Sequence, residues 1–194
     1  ELATFSCSYS TAEGMLTRAK VTDADTVLVP GASGGVGGAL VQLAKRRGAR
    51  VIALASEPKH DDVRALGADV VLPRAPDNLR TALGVDKITV VADVVGGPYW
   101  PTLVDVLERG GRYTCSGAIA GPMVELDLRT LYLRDLTFTG STVIDLSVMP
   151  ALIRYIEEGA IKPALAATYK LEDLREAQTA FIAKTHTGNI VVTP

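Results

Sequence analysis

The run VLVPGASGGVGGALVQLAKRRGARVIAL places Gly31, Gly34, Gly35, Gly37 and Gly38 between an apolar stretch and a long helical pattern, with Ser33 and Val36 among them. Glycine allows a tight turn and removes the side chain that would hold a phosphate away from the backbone. The first N–H groups of a helix have no internal partner, so they can bind a pyrophosphate, and the helix dipole favours the same negative charge. Gly37 or Gly38 also lets the helix lie close to the preceding strand. The spacing points to backbone recognition of a dinucleotide pyrophosphate by Gly31, Ser33, Gly34, Gly35, Val36 and Gly37. A merely flexible loop would not need glycines spaced against a long apolar helix. A Walker phosphate loop would need a Gly-Lys-Ser/Thr ending, which is absent.

The next apolar run, Arg50–Ala55, ends at Ser56. An NAD site usually places Asp or Glu there to accept hydrogen bonds from the ribose hydroxyls. Ser56 leaves the position neutral, and Lys59, His60 and Arg64 follow within reach of a 2′-phosphate. The pattern favours NADP(H) over NAD(H), although Glu57 opposes it and Lys59 and Arg64 also suit a solvated helix face. Further cofactor contacts are expected at the carboxyl ends of strands, where such sheets bind ligands. These are Asp93, Val94 and Val95, then Gly117 and Ala118, then Ser141 and Thr142. Asp93 could instead accept hydrogen bonds from nearby turn backbone, and Val95 could press on a cofactor ring or fill core.

The elements that must carry these residues alternate along the chain. Strands are expected at 26–30, 50–55, 68–72, 88–95, 111–116, 134–142 and 190–193. Helices are expected at 11–19, after the glycines, at 58–66 with Ser56 as its cap, and at 77–83, 99–108, 148–158 and 171–183, with a mixed segment around 126–133. The strand at 50–55 is apolar on both faces, as a parallel strand covered by helices on each side must be. Repeated βα units predict an α/β fold, a Rossmann-type doubly wound parallel sheet with helices on both faces. Residues 1–194 read as one dinucleotide-binding domain with short appendages at both ends.

Composition fits that reading. Of the 194 residues, 47% are hydrophobic and 22% charged, an ordinary globular mixture. A formal net charge of −2 and the lack of a basic stripe offer nothing to nucleic acid or acidic lipid. No run of eighteen apolar residues would cross a membrane, and the opening ELATFSCSYS lacks the basic and apolar regions of a signal peptide. Two cysteines, Cys7 and Cys115, are too few for a disulfide scaffold, so a cytoplasmic setting is the expectation. The first residue is Glu1 rather than Met, which suggests a piece of a longer protein.

The chain resembles the medium-chain dehydrogenase/reductase superfamily, which includes zinc alcohol dehydrogenases and quinone oxidoreductases. The matching stretches are SYSTAEGML from Ser8, LVPGASGGVGGALVQLA from Leu28, LGAD from Leu66, DVVGG from Asp93, GGRYTCSG from Gly110 and GNIVV from Gly188. One departure is Asn189, where many relatives carry Lys. The resemblance implies a separate N-terminal catalytic domain in the parent enzyme, acting on a small-molecule substrate, with hydride transfer completed there. It also implies roles for two residues of the Cys7-Ser8-Tyr9-Ser10-Thr11 segment. Thr11 would approach the nicotinamide as the catalytic-site residue of this piece, and Cys7 would supply one ligand to a catalytic zinc in the complete parent enzyme. A lone cysteine cannot make a site, and Cys7 also suits a small buried thiol without chemistry. Cys115 reads as a core thiol, Tyr9 as a ligand contact or an interface aromatic, Tyr99 and Trp100 as packing groups, and His186 as solvent-facing.

Fold alone does not separate an oxidoreductase from a non-catalytic module that senses a dinucleotide, or from an S-adenosylmethionine-dependent methyltransferase. The methyltransferase would need no pyrophosphate cradle. Finally, the resemblance implies a homodimer, and the strand-prone LYLRDLTFTGSTV at 131–143 could present a sheet edge to a symmetric partner.

Overall fold

The computed structural model describes residues 2–143 and 145–194. Six parallel strands form the main sheet: β1 (Thr26–Pro30), β2 (Arg50–Ala55), β3 (Val70–Pro73), β4 (Ile88–Asp93), β5 (Leu107–Cys115) and β6 (Thr137–Gly140). Their order is β3-β2-β1-β4-β5-β6. The chain therefore builds outward from β1 in one direction, returns, and builds outward in the other. A crevice opens where the direction reverses, between β1 and β4.

Strand side chains alternate between two apolar cores. Val27, Val29, Val51 and Ala53 enter one core, and Leu28, Ile52 and Leu54 enter the other. The first core is covered by α1 (Ser10–Arg18), α2 (Gly35–Arg46), α3 (His60–Ala65) and α7 (Val148–Glu157). The second is covered by α4 (Leu79–Leu83), α5 (Trp100–Asp105) and α6 (Leu128–Leu133). Within α2 the buried residues Leu40, Val41, Leu43 and Ala44 form the face that the sequence periodicity marks. Tyr113, Trp100 and Phe138 meet edge-on or tilted with ring centroids 5.3–5.9 Å apart, which fixes α5 on the outer strands. Tyr99 and Trp100 are packing groups as expected, the Tyr99 hydroxyl donating to the Pro76 carbonyl.

Several boundaries differ from the sequence reading, each for a local reason. The helix expected over 99–108 stops at Asp105, and Leu107 already pairs with Ile88. β5 then bulges, with Gly110 at φ +74°, before pairing resumes at Arg112 opposite Val90. The strand expected from Arg134 begins only at Thr137, because Asp135 at φ +52° closes the turn after α6. β4 ends at Asp93, whose carboxylate accepts from the N–H groups of Val95 and Gly96 and bends the chain. Ser56 precedes the helical turn Glu57–Lys59 but makes no side-chain cap.

One strand was not expected. β7 (Leu165–Lys170) pairs in parallel with β8 (Asn189–Thr193) across α8 (Leu174–Ala183), forming a separate two-stranded βαβ unit. Its sequence LAATYK carries two alanines and no run of β-branched residues, so the strand signal is weak. Gly188 attaches this unit to the main domain by donating its N–H to the Ser33 carbonyl at 2.9 Å.

A methyl group at Gly37 would lie 2.1 Å from the Gly31 carbonyl oxygen, which is backbone and cannot move aside. Gly140 has nothing within 4 Å of the same position. Gly37→Ala should therefore cost about 3 kcal/mol or more by overpacking, and Gly140→Ala should stay within about 0.5 kcal/mol of the native chain. Urea unfolding of both variants checks this; equal midpoints would refute the packing role of Gly37.

Candidate dinucleotide-binding site

The glycine turn runs from the carboxyl end of β1 into α2. Gly31 adopts φ +66°, and Gly34 donates to its carbonyl at 3.0 Å, closing the turn. Gly34 then precedes α2 in extended conformation, bridges Gly188, and supplies no side-chain cap to the first turn of the helix. Gly34 is exposed, Gly31, Ser33, Gly35 and Val36 are half-buried, and Gly37 is buried. These residues divide the work. Gly37 permits the close approach of helix and strand, whereas a methyl at Gly34 would meet nothing nearer than the Gly31 oxygen at 3.4 Å. A side chain at Gly34 would thus not be blocked by backbone as one at Gly37 is. Gly35 is glycine for another reason: a methyl there would lie 2.4 Å from Asn189 Oδ1 and 2.6 Å from Ser8 Oγ. Asn189, the departure from the usual Lys, accepts from Ser8 Oγ at 2.9 Å, while its Nδ2 is buried without a partner.

The turns after β4 and β5 close on the same place. A methyl at Gly31 would lie 2.9 Å from Val95 Cγ2, so Val95 abuts the glycine turn. The Val95 carbonyl accepts from Ala120 N–H at 2.8 Å, and a methyl at Gly117 would meet the Val94 oxygen at 3.1 Å. Val94, Val95, Gly117 and Ala118 therefore form one rim. Ser141 lies beside it, its N–H donating to the Cys115 carbonyl and its own carbonyl accepting from Ser116 Oγ. Ser141 Oγ is 3.4 Å from the methyl position of Gly14, one turn beyond the half-buried Thr11 on α1, and Thr142 next to it is exposed. The structure brings α1, at Gly14, against the residue that follows β6.

Asp93 is fully buried and serves the rim from beneath. Its carboxylate accepts from Val95 N–H at 2.7 Å, Gly96 N–H at 3.1 Å and the Tyr113 hydroxyl at 2.8 Å. The turn-backbone role left open by the sequence is the one its side chain performs, so the expectation of a direct cofactor contact from that carboxylate is corrected. Tyr113 is the residue that sequence reasoning missed. Burial first, then the Asp93 charge, raises its pKa, which keeps the hydroxyl a donor.

Other candidates sit elsewhere. Ser56 is exposed at the end of β2. Lys59 is not a solvated helix residue: its Nζ donates to the carbonyls of Lys184 and His186, both at 2.6 Å. Burial, with the charges of Lys184 and Arg74, lowers its pKa against the opposing influence of Asp62. His186, expected to face solvent, is half-buried. Tyr9 is buried and donates to the Lys162 carbonyl at 2.6 Å while accepting from Gln42, so its hydroxyl is committed to structure. Cys115 is half-buried and its Sγ lies 3.3 Å from the Gly117 carbonyl. Cys7 is exposed rather than buried, and among the described residues no three His, Cys, Asp or Glu side chains converge as metal ligands. Cys7 with its present neighbours does not fit a zinc site.

A parallel sheet in this order, with a glycine turn and an uncapped helix at its switch point, defines a Rossmann-type α/β domain. The family described as zinc-binding dehydrogenase matches residues 35–158, and the chain belongs to it, as the cofactor-binding domain of the medium-chain dehydrogenase/reductase superfamily. Acryloyl-coenzyme A reductase of Sulfurisphaera tokodaii is 30% identical over 171 residues, covering 88% of this chain and 51% of its own length. A Sinorhizobium meliloti protein assigned as an alcohol dehydrogenase superposes with TM-score 0.96 at 47% identity, over 100% of this chain and 55% of its own. A 2-octenoyl-CoA carboxylase reductase, solved with NADP and 2-octenoyl-CoA, gives TM-score 0.87 at 27% identity, over 98% and 49% of the two chains. The chain thus spans about half the length of the relatives it matches. Among the described residues no helix is long and apolar enough to cross a membrane.

Removing the Tyr113 hydroxyl leaves a buried carboxylate short of one donor. Tyr113→Phe should cost about 1.5–3 kcal/mol, the range for a hydrogen bond to a charged group. Chemical denaturation measures it, and an unchanged stability would show that the pair contributes nothing.

Proposed function

We propose that this chain is the NADP(H)-binding domain of an oxidoreductase that passes hydride between nicotinamide and an alcohol or carbonyl, or an activated alkene. The observation that carries the proposal is exposed Gly34, unobstructed at its Cβ position, at the start of an uncapped helix and at the sheet's switch point. Bound nicotinamide dinucleotide would supply the hydride chemistry, and the protein's part is to bind and orient it. In this reading Gly31, Ser33, Gly34, Gly35, Val36 and Gly37 surround the pyrophosphate. Val94, Val95, Gly117 and Ala118 wall the nicotinamide half, with Thr11, Ser141 and Thr142 at its far edge. Names of the relatives support the redox class, and the acyl-CoA reductases among them support an activated alkene as substrate. Family membership leaves the methyltransferase alternative without support. We place the substrate cleft in an N-terminal catalytic domain of the parent enzyme, which the half-length matches support.

Preference for NADP(H) rests on Ser56, which presents no carboxylate to repel a 2′-phosphate, and on Lys59. A lysine ammonium has three donors. Two are held by backbone carbonyls, which leaves one for phosphate and fixes where it points. A second proposal concerns assembly. β6 is the edge of the main sheet, and Leu128, Tyr132, Leu133, Val143 and Leu146 are exposed near it. We propose that this edge joins a second copy in a homodimer.

Calorimetric titration with all four dinucleotide forms should show saturable binding, tighter for NADPH than for NADH. Gly34→Val should fold normally and lose affinity, because its side chain enters phosphate space. Ser56→Asp should weaken NADPH binding about tenfold or more while sparing NADH, since about 1.4 kcal/mol suffices for tenfold. Equal native affinities, unmoved by Ser56→Asp, would refute the account of cofactor choice. Sedimentation at micromolar concentration should reveal a species twice 20.5 kDa, and a monomer alone would remove the dimer.

A further inference from the structure

The corner where the loop after β2 meets the turn between α8 and β8 gathers basic groups. Lys59 Nζ is held by the Lys184 and His186 carbonyls, 125 and 127 residues away in sequence. The His186 ring lies 5.9 Å from the Phe181 ring, and the Lys184 ammonium sits 3.3 Å from the centre of that same ring. His186 is half-buried, and its Nδ1 is buried without a hydrogen-bond partner. Arg74 adds its charge at Lys59. The acidic group of this corner is Asp62 on α3, which already accepts from Thr187 Oγ1 at 2.8 Å.

The charges of Lys184 and Arg74 act on Lys59 against that of Asp62, which leaves the corner unbalanced toward positive. Burial, then the charges of Lys59 and Lys184, hold the His186 imidazole below its ordinary range, with the Ala180 backbone acting weakly the other way. Both causes of this depression act against the charged imidazolium. A phosphate dianion brought to Lys59 would reverse the electrostatic part, because it offsets the lysine charges and favours a further proton.

We propose that the 2′-phosphate of NADP(H) binds at this corner beside Lys59 and that His186 takes up a proton when it arrives. The inference rests on the NADP(H) reading and deepens it: the small C-terminal unit would share in cofactor choice, and that choice would depend on pH. The sign follows from linkage. Proton uptake on binding strengthens affinity as pH falls, by at most about tenfold per pH unit for one proton. The phosphate's own second ionisation, near pH ~6, works in the opposite direction, so the contribution of His186 must be isolated from it.

The chain has two histidines, which permits a direct measurement. The imidazole signals of the full chain are followed by nuclear magnetic resonance across pH 5.5–8.5 (about the span in which histidine titrates), free and saturated with NADP+ or NAD+. The expected result is a rise in the titration midpoint of His186 with NADP+ and not with NAD+, the His186 signal being assigned by its loss in His186→Gln. Calorimetry in buffers of different ionisation enthalpy gives a second reading: the native chain should take up more protons with NADP+ than His186→Gln does, and the two should agree with NAD+. If NADP+ binds more tightly than NAD+ while His186 does not respond, the proton-uptake proposal fails and the cofactor reading survives. If NADP+ shows no advantage over NAD+, both fall.

Discussion

The structure depends on how closely α2 approaches β1. The Gly31 carbonyl lies where a side chain at residue 37 would begin, so helix and strand can meet at this distance only if that residue is glycine. The approach does two things at once. It buries the apolar face of α2 against the strands of the first core, and it aims the uncapped start of the helix along the crevice between β1 and β4. Gly37 serves packing, whereas exposed Gly34 is not demanded by it.

Around that contact the carboxyl edge is built by backbone interlocking. Val95 abuts Gly31, the loop after β5 hydrogen-bonds back to Val95 and Gly97, and Ser116 reaches across to Ser141. Asp93 anchors the arrangement from below by accepting from two turn N–H groups and from Tyr113. A buried carboxylate is tolerable only with such donors, because an unsatisfied one carries the full desolvation penalty. The aromatic cluster that positions Tyr113 therefore reaches the carboxyl edge of the sheet through the Tyr113 hydroxyl.

The β7–α8–β8 unit adds a third layer of constraint. Gly188 docks on Ser33, Asn189 packs on Gly35, and the turn at Lys184–His186 holds Lys59. Segments from the two ends of the chain thus meet at the glycine turn, since Ser8 bonds Asn189 there. The C-terminal unit thus packs directly against the glycine turn.

The sequence by itself determined the elements whose cause is local. β1 and β2 have the expected bounds because they are apolar on both faces, and the glycine turn was legible because tight turning and close approach constrain residue type at each position. Family membership was legible from the same motifs. Tertiary structure alone decided what depends on distant partners. β7 has little intrinsic strand signal and is a strand because β8 lies beside it. Lys59 reads as a surface residue until the carbonyls of a turn more than a hundred positions away enclose its ammonium. His186 is half-buried, with the Phe181 ring 5.9 Å from its own. For β7 and Lys59 the deciding term is a hydrogen-bonding partner distant in sequence, and a pattern of neighbouring residues does not encode it.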